Sequence, residues 1–434
     1  MRRLIPITLS VAAVAIVVIV VVALSGGGSS SEEAASTTTS QPAATTAPPE
    51  TTPPAPDEPA ADPPSPTTTD PEFFEGPAVL YENLALVTFV WETNWDRRTI
   101  DTDELLIGLF VPDPRDRIRP IDDPAFETVA EADAWLQPRE PGASVTIDGE
   151  ARFYPLRIMT SHEIVNDEFG EVPVAVTYCP LCNTMAVFDR RVDGDVLRFG
   201  VSGLLRMSDL VMWDDATTSL WQQITGEGIV GDLAGTQLEF VPSALVRWDD
   251  FRSTNPDGVV LSIDQGFGIN YGRNPYEGYT SRPVPYGFFQ DEPDPRFPAL
   301  ERVVGVRVNG MTKAYPFSVI EVERVVNDVV DGIPVVVFWG ASDTADALDA
   351  SQVADGRGVG TGIAFSPVVD GRVLTFTAID DTTFRDEETG STWTLLGVAI
   401  DGPLAGKQLG IVVHQNELWF AWASFNPDAP VHGA

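Results

Sequence analysis

The chain has 434 residues, an ordinary apolar content of 43%, and 64 acidic against 27 basic side chains, a formal net charge of −37. A surface this anionic repels nucleic-acid phosphates and anionic lipid headgroups, which argues against both as partners of the folded part. The length has room for about two or three domains.

Arg2 and Arg3 precede an uncharged run from Leu4 to Leu24 dominated by Val, Ile and Ala, and about 20 such residues in a helix span a bilayer core. Residues 1–24 therefore read as a transmembrane anchor, with a cleaved signal peptide as the alternative, since Ala23-Leu24-Ser25 is a passable cleavage site. The arginines before the run direct everything downstream out of the cytoplasm. The expected location is the cell membrane, single-pass, with the folded part outside, or secreted if the helix is cleaved. Residues 25–72 are rich in Pro, Thr and Ser, and up to about Asp70 they carry no aromatic residue. Such a stretch cannot bury enough apolar surface to offset its ordering entropy and reads as a disordered stalk.

Residues 73–143 open the folded region, and their apolar run Leu84 to Trp91 reads as a buried strand. From there the sequence is written twice. Tyr154-Pro155 aligns without a gap on Tyr315-Pro316, and Val165-Asn166-Asp167 then falls on Val326-Asn327-Asp328. Further on, Trp221 matches Trp393, Leu233-Ala234-Gly235 matches Leu404-Ala405-Gly406, and Asn255-Pro256-Asp257 matches Asn426-Pro427-Asp428. Copy one covers 144–262, an ordered connector 263–303, and copy two 304–434. In copy one a strand at Val145–Ile147 turns at Asp148-Gly149 into a second strand reaching Tyr154. A helix follows Pro155 and ends by Gly170. Strands then lie at Val172–Tyr178, Thr184–Arg190, Val196–Val201 and Leu210–Trp213. The expected class is α+β and β-rich, with two tandem divergent copies of one mainly antiparallel unit, each carrying a short helix.

The motifs Tyr154-Pro155-Leu156, His162-Glu163-Ile164-Val165-Asn166-Asp167, Thr177-Tyr178-Cys179-Pro180-Leu181-Cys182, Phe199-Gly200-Val201-Ser202-Gly203 and Arg273-Asn274-Pro275-Tyr276 resemble the domain of unknown function family 3179. The resemblance runs from about Asp122 to the end of the chain. It implies an exported bacterial or archaeal protein and carries no established activity, so the chemistry rests on the residues themselves.

The same register sets Cys179 against Gly340, Cys182 against Asp343 and His162 against Glu323. The only two cysteines thus belong to copy one alone. They admit three readings. Outside the cytoplasm a pair at this spacing tends to close into a disulfide. Two thiolates on a tight turn with His162 as a third ligand instead suit copper or zinc, with Met185, Met207, Met212 or Asp167 as candidates for a fourth. Thiol-disulfide exchange is the third reading, although the residues after Cys182 read as a strand, which withholds the helix dipole that lowers a thiol pKa.

Other motifs fall short. His162-Glu163-Ile164-Val165-Asn166 has Asn where a zinc-protease helix needs a second His, and Asn166-Asp167 reads as a helix-ending element. Gly200-Val201-Ser202-Gly203-Leu204 lacks the last glycine of a hydrolase elbow. No phosphate-cradling loop or dinucleotide fingerprint is present, so whether the chain is an enzyme stays open, and its one expected partner is the membrane.

Overall fold

Asp148 and Gly149 take φ of 51° and 82°, the left-handed pair that a two-residue hairpin turn demands, and they fold Pro141–Ile147 back on Glu150–Pro155. The computed structural model describes residues 71–434. The expected anchor and nearly all of the stalk lie outside the described residues. Among those residues no helix is long and apolar enough to cross a membrane.

Pro155 caps the helix Leu156–His162, where its missing amide hydrogen costs nothing. The helix is shorter than the sequence predicts. Residues Ile164–Phe169 form a strand antiparallel to Val172–Cys179, turning at Gly170, whose φ is 59°. Ile164, Val165 and Phe169 supply the β-branched and aromatic surface that a pleated sheet packs best. Asn166 and Asp167 are accordingly strand residues rather than a helix end. The Asn166 amide bonds across to the next sheet: its Nδ2 donates to the Phe199 carbonyl at 2.8 Å, and its Oδ1 accepts from Phe199 N at 3.0 Å. Asn166→Ala would leave both backbone groups buried without partners. We expect a loss of about 2–3 kcal/mol, read as a lower urea midpoint at unchanged slope.

The Cys179 strand also pairs with Thr184–Asp189, giving a three-stranded antiparallel sheet. Beside it, Phe199–Arg206, Asp209–Asp214, Leu220–Gln222 and Glu227–Val230 form consecutive antiparallel pairs. The first hairpin is extended by Ser243–Arg247 on one side and by Val259–Leu261, in parallel, on the other. The architecture is β-rich with several antiparallel sheets and a few short helices.

From Arg302 a like series follows: the hairpin Arg302–Val308 and Met311–Pro316, the helix Phe317–Glu323, the strands Val325–Val330, Ile333–Gly340 and Thr361–Ser366, and the hairpins from Phe376 to Asp401. Local contacts recur as well. Asn327 bonds both backbone groups of Phe376 at 2.9 Å. Trp221 Nε1 donates to Asp214 at 2.9 Å and Trp393 Nε1 to Asp386 at 2.8 Å. Each of these aspartates also ties down the turn that follows it, through Thr217 and Thr389.

Two cores bind the halves together. Leu418, Phe420 and Ala421 pack into the core of Tyr154, Val176 and Phe199, while Trp248 and Phe251 pack with Phe338, Phe365 and Trp393. Each half closes its apolar face with a piece of the other, which makes unfolding of one half alone costly.

The run Leu84–Trp91 is not a strand. Glu82–Val87 is a helix burying Leu84 and Val87, one turn apart, while Leu86, Phe89 and Val90 stay exposed. An apolar run this short carries no period that separates strand from helix.

Candidate metal centre

Cys179 ends its strand and Cys182 follows on a tight turn, closed by Asn183 N donating to Pro180 O at 3.3 Å and by a left-handed Asn183 with φ 53°. Both cysteines are buried free thiols. The turn is held from outside its own sheet. Leu418 N donates to the Cys182 carbonyl at 2.9 Å, Asn183 Nδ2 to the Asn416 carbonyl at 3.0 Å, and Tyr279 Oη to the Leu181 carbonyl at 2.7 Å. A strand of the second half and the connector thus roof the cysteines.

The third member of the group is Asp209. It opens the strand Asp209–Asp214 just after Met207 and Ser208, whose φ of 51° and 66° form the hairpin tip. Ligand atoms of Cys179, Cys182 and Asp209 all lie within 4.8 Å of one another, and all three residues are buried. Asp209 Oδ2 accepts from Gln222 Nε2 at 2.6 Å and from Ile224 N at 2.9 Å. Its Oδ1 has no hydrogen-bond partner among the described residues. Burial pushes the Asp209 carboxyl up to about 6, against the pull of these donors. Burial also raises both thiols, Cys182 strongly. Two thiols and a carboxylate buried together match a thiophilic divalent ion, whose charge would stabilise all three in their deprotonated forms.

Glu163 borders this group. It is buried, its carboxyl is pushed up to about 8 mainly by desolvation, and Tyr276 Oη reaches its Oε1 at 3.5 Å. Tyr276 is positioned by the neighbouring Asn274, whose Oδ1 accepts from Tyr276 N at 2.7 Å. Glu417 from the second half is the other buried acid in electrostatic reach of Cys182 and Asp209, also raised to about 8 by burial.

The remaining ligand candidates lie elsewhere. His162 is not in the sulfur group: its Nδ1 meets the Arg119 carbonyl at 2.6 Å, its Nε2 meets Tyr271 Oη at 2.6 Å, and its ring packs on Phe267. With both nitrogens engaged it has no lone pair to offer an ion, and burial lowers its pKa. Asp167 is bound by Arg152 and Tyr154. The Met185 sulfur accepts from Ser243 at 3.7 Å, Met212 packs in the core, and Met207 shapes the hairpin tip.

Asp209 is the member of this group that sequence reasoning missed. It is one of 64 acidic residues, and nothing in its immediate neighbourhood marks it. A signal existed in the spacing: the hairpin between Phe199 and Asp214 is five residues longer than the one between Phe376 and Asp386, and Asp209 sits in the surplus.

No curated protein and no solved structure matches the chain. The motifs from Tyr154 to Tyr276 are spread over both the site and its roof, and a family model matches residues 115–429. The chain therefore belongs to the family described as protein of unknown function, DUF3179.

Proposed function

We propose that this is a membrane-anchored extracytoplasmic protein whose first half holds one metal ion, zinc in preference to copper, on Cys179, Cys182 and Asp209. The observation that carries the reading is the convergence of two buried sulfurs and a carboxylate within 4.8 Å, with one carboxylate oxygen unpartnered among the described residues. A hard oxygen in the set favours zinc over Cu(I), which prefers sulfur throughout. The anchor rests on the apolar run Leu4–Leu24 behind Arg2 and Arg3.

We further propose that the halves are divergent copies of one β unit, the second retained as a packing partner. The recurring Asn–Phe and Trp–Asp contacts support this. The site lies in the first half and its roof comes partly from the second, which gives the partner a role.

Thiol exchange is disfavoured by the same geometry. An attacking cysteine needs a lowered pKa, whereas burial raises both thiols and a strand, Thr184–Asp189, follows the motif. The test is metal analysis of the full-length protein purified in detergent under reducing conditions and supplied with zinc and copper. We expect about one equivalent of zinc, lost in Cys179→Ser and Asp209→Asn and kept in His162→Ala. A metal-free protein with a closed Cys179–Cys182 disulfide would replace this reading with a structural one.

A further inference from the structure

Both halves end their seven-residue helix on a charged residue in the left-handed region, Glu163 with φ 61° and Arg324 with φ 68°. Glycine is the usual occupant there because a Cβ is strained. The two residues hold equivalent places beside the neighbouring strand. The Glu163 carbonyl accepts from Tyr178 N at 2.7 Å, just before Cys179, and the Arg324 carbonyl accepts from Trp339 N at 2.9 Å, just before Gly340.

Their charges are opposite, and the surroundings change with them. In the second half the Arg324 guanidinium donates to the Asp380 carbonyl at 3.1 Å and to Asp381 Oδ1 at 2.9 Å. The Asp381 carbonyl accepts from Ala341 N at 2.9 Å and lies only 2.2 Å from where a Cβ on Gly340 would be. The short hairpin tip therefore folds directly onto Gly340, and a guanidinium neutralises its aspartate. In the first half Gly340 is replaced by Cys179, Asp343 by Cys182 and the arginine by Glu163, and the longer hairpin delivers Asp209. One half carries its own cation at this place, and the other presents two sulfurs and two carboxylates. A buried group of that composition is stable when a cation joins it.

We propose that Glu163 is the fourth ligand of the metal in the first half, and that Arg324 is the built-in cation that takes the ion's place in the second. The proposal rests on the metal reading above. The Glu163 carboxylate lies outside the set of atoms within 4.8 Å of one another, next to Tyr276 Oη, and uptake of the ion turns it toward the sulfurs. Tyr276, on the connector, holds the carboxylate beside the site until the ion arrives. Two thiolates and two carboxylates close a tetrahedral site without water and need no histidine.

The test titrates the full-length, reduced protein with zinc and with cobalt(II), comparing the wild type with Glu163→Gln, Glu163→Arg and the Cys179→Ser/Cys182→Ser pair, with folding followed by near-UV circular dichroism. In the wild type cobalt is expected to give sulfur charge-transfer absorption and the intense ligand-field bands of a four-coordinate ion. Glu163→Gln is expected to keep the charge transfer, to shift and weaken the ligand-field bands, and to bind zinc about 10-fold or more weakly. Glu163→Arg, which copies the second half, is expected to fold and to bind neither ion. Wild-type spectra and affinity in Glu163→Gln would overturn the assignment of Glu163 and leave the cysteines and Asp209 as ligands. Absence of binding in the wild type, or binding that survives loss of both cysteines, would overturn the metal reading itself.

Discussion

Metal-free protein is expected to lose stability as the pH rises from 6.5 to 8, by about 2–4 kcal/mol. Glu163 and Glu417 are both raised from the ordinary carboxyl range to about 8, burial being the largest cause. A carboxyl whose folded pKa lies above its unfolded value keeps its proton in the native state after the unfolded chain has released it, so its contribution is whole at low pH and fades up to the folded pKa. Each such group costs about 1.4 kcal/mol per pH unit inside that window. Asp209, raised to about 6, has spent its effect below the interval. His414, lowered to about 4 by burial, and His162, also lowered, act in the opposite sense. Their windows close at about 6.5, the ordinary imidazole value. Between 6.5 and 8 the two glutamates therefore dominate, with Arg307 restraining Glu417. Zinc should flatten or reverse the trend, because the ion binds the deprotonated forms and stabilises the native state more as they become available. Urea unfolding at pH 6.5 and 8, with chelator and with excess zinc, measures both effects. An equal or higher midpoint at pH 8 in chelator would show that these carboxyls do not hold their protons in the fold.

The parts of the structure that the sequence announces are those fixed within a few residues. Asp148-Gly149 turns where it must, Pro155 opens a helix, and Cys179-Pro180-Leu181-Cys182 ends a strand. Readings that depend on a partner far along the chain fared differently. The helix after Pro155 stops at His162 because Ile164–Phe169 folds back on Val172–Cys179 across Gly170 and its other edge exchanges hydrogen bonds with Ile121, a distant partner that local spacing does not record. The Leu84–Trp91 run is too short to show a period, and its first four residues complete the helix Glu82–Val87. The site divides along this line too. The cysteines stood out because they are the only two, and their turn is local. Whether His162 faced them depended on Arg119 and Tyr271, 43 and 109 positions away, which occupy its nitrogens instead. Asp209 reaches the sulfurs through a hairpin whose extra length is visible but whose direction is not. Glu163 stood in view inside a failed protease motif, and its meaning comes from the arginine at the matching position of the second half.

Placing cysteines at the matching positions of the second half should damage the fold without creating a second site. Gly340→Cys adds a Cβ 2.2 Å from the Asp381 carbonyl and close to Leu395. The obstacle is backbone, so a side-chain rotation cannot relieve it. The hairpin tip would have to lift, losing the bond from Ala341 N to Asp381 O and the hold of Arg324 and Ser342 on the Asp381 carboxylate. Overpacking of this kind costs about 1–3 kcal/mol, and leaving the Arg324 guanidinium without its aspartate in a half-buried place adds to that. Asp343→Cys further removes an ion pair with Arg247 that joins the two halves. The double variant Gly340→Cys/Asp343→Cys is thus expected to unfold at a markedly lower temperature than the wild type and to bind no more zinc than it does. The Cys-x-x-Cys spacing would be intact, so the experiment separates the motif from its setting. A second equivalent of metal in that variant would mean that two thiols on this turn suffice, and that Asp209 and Glu163 are neighbours of the ion rather than its ligands.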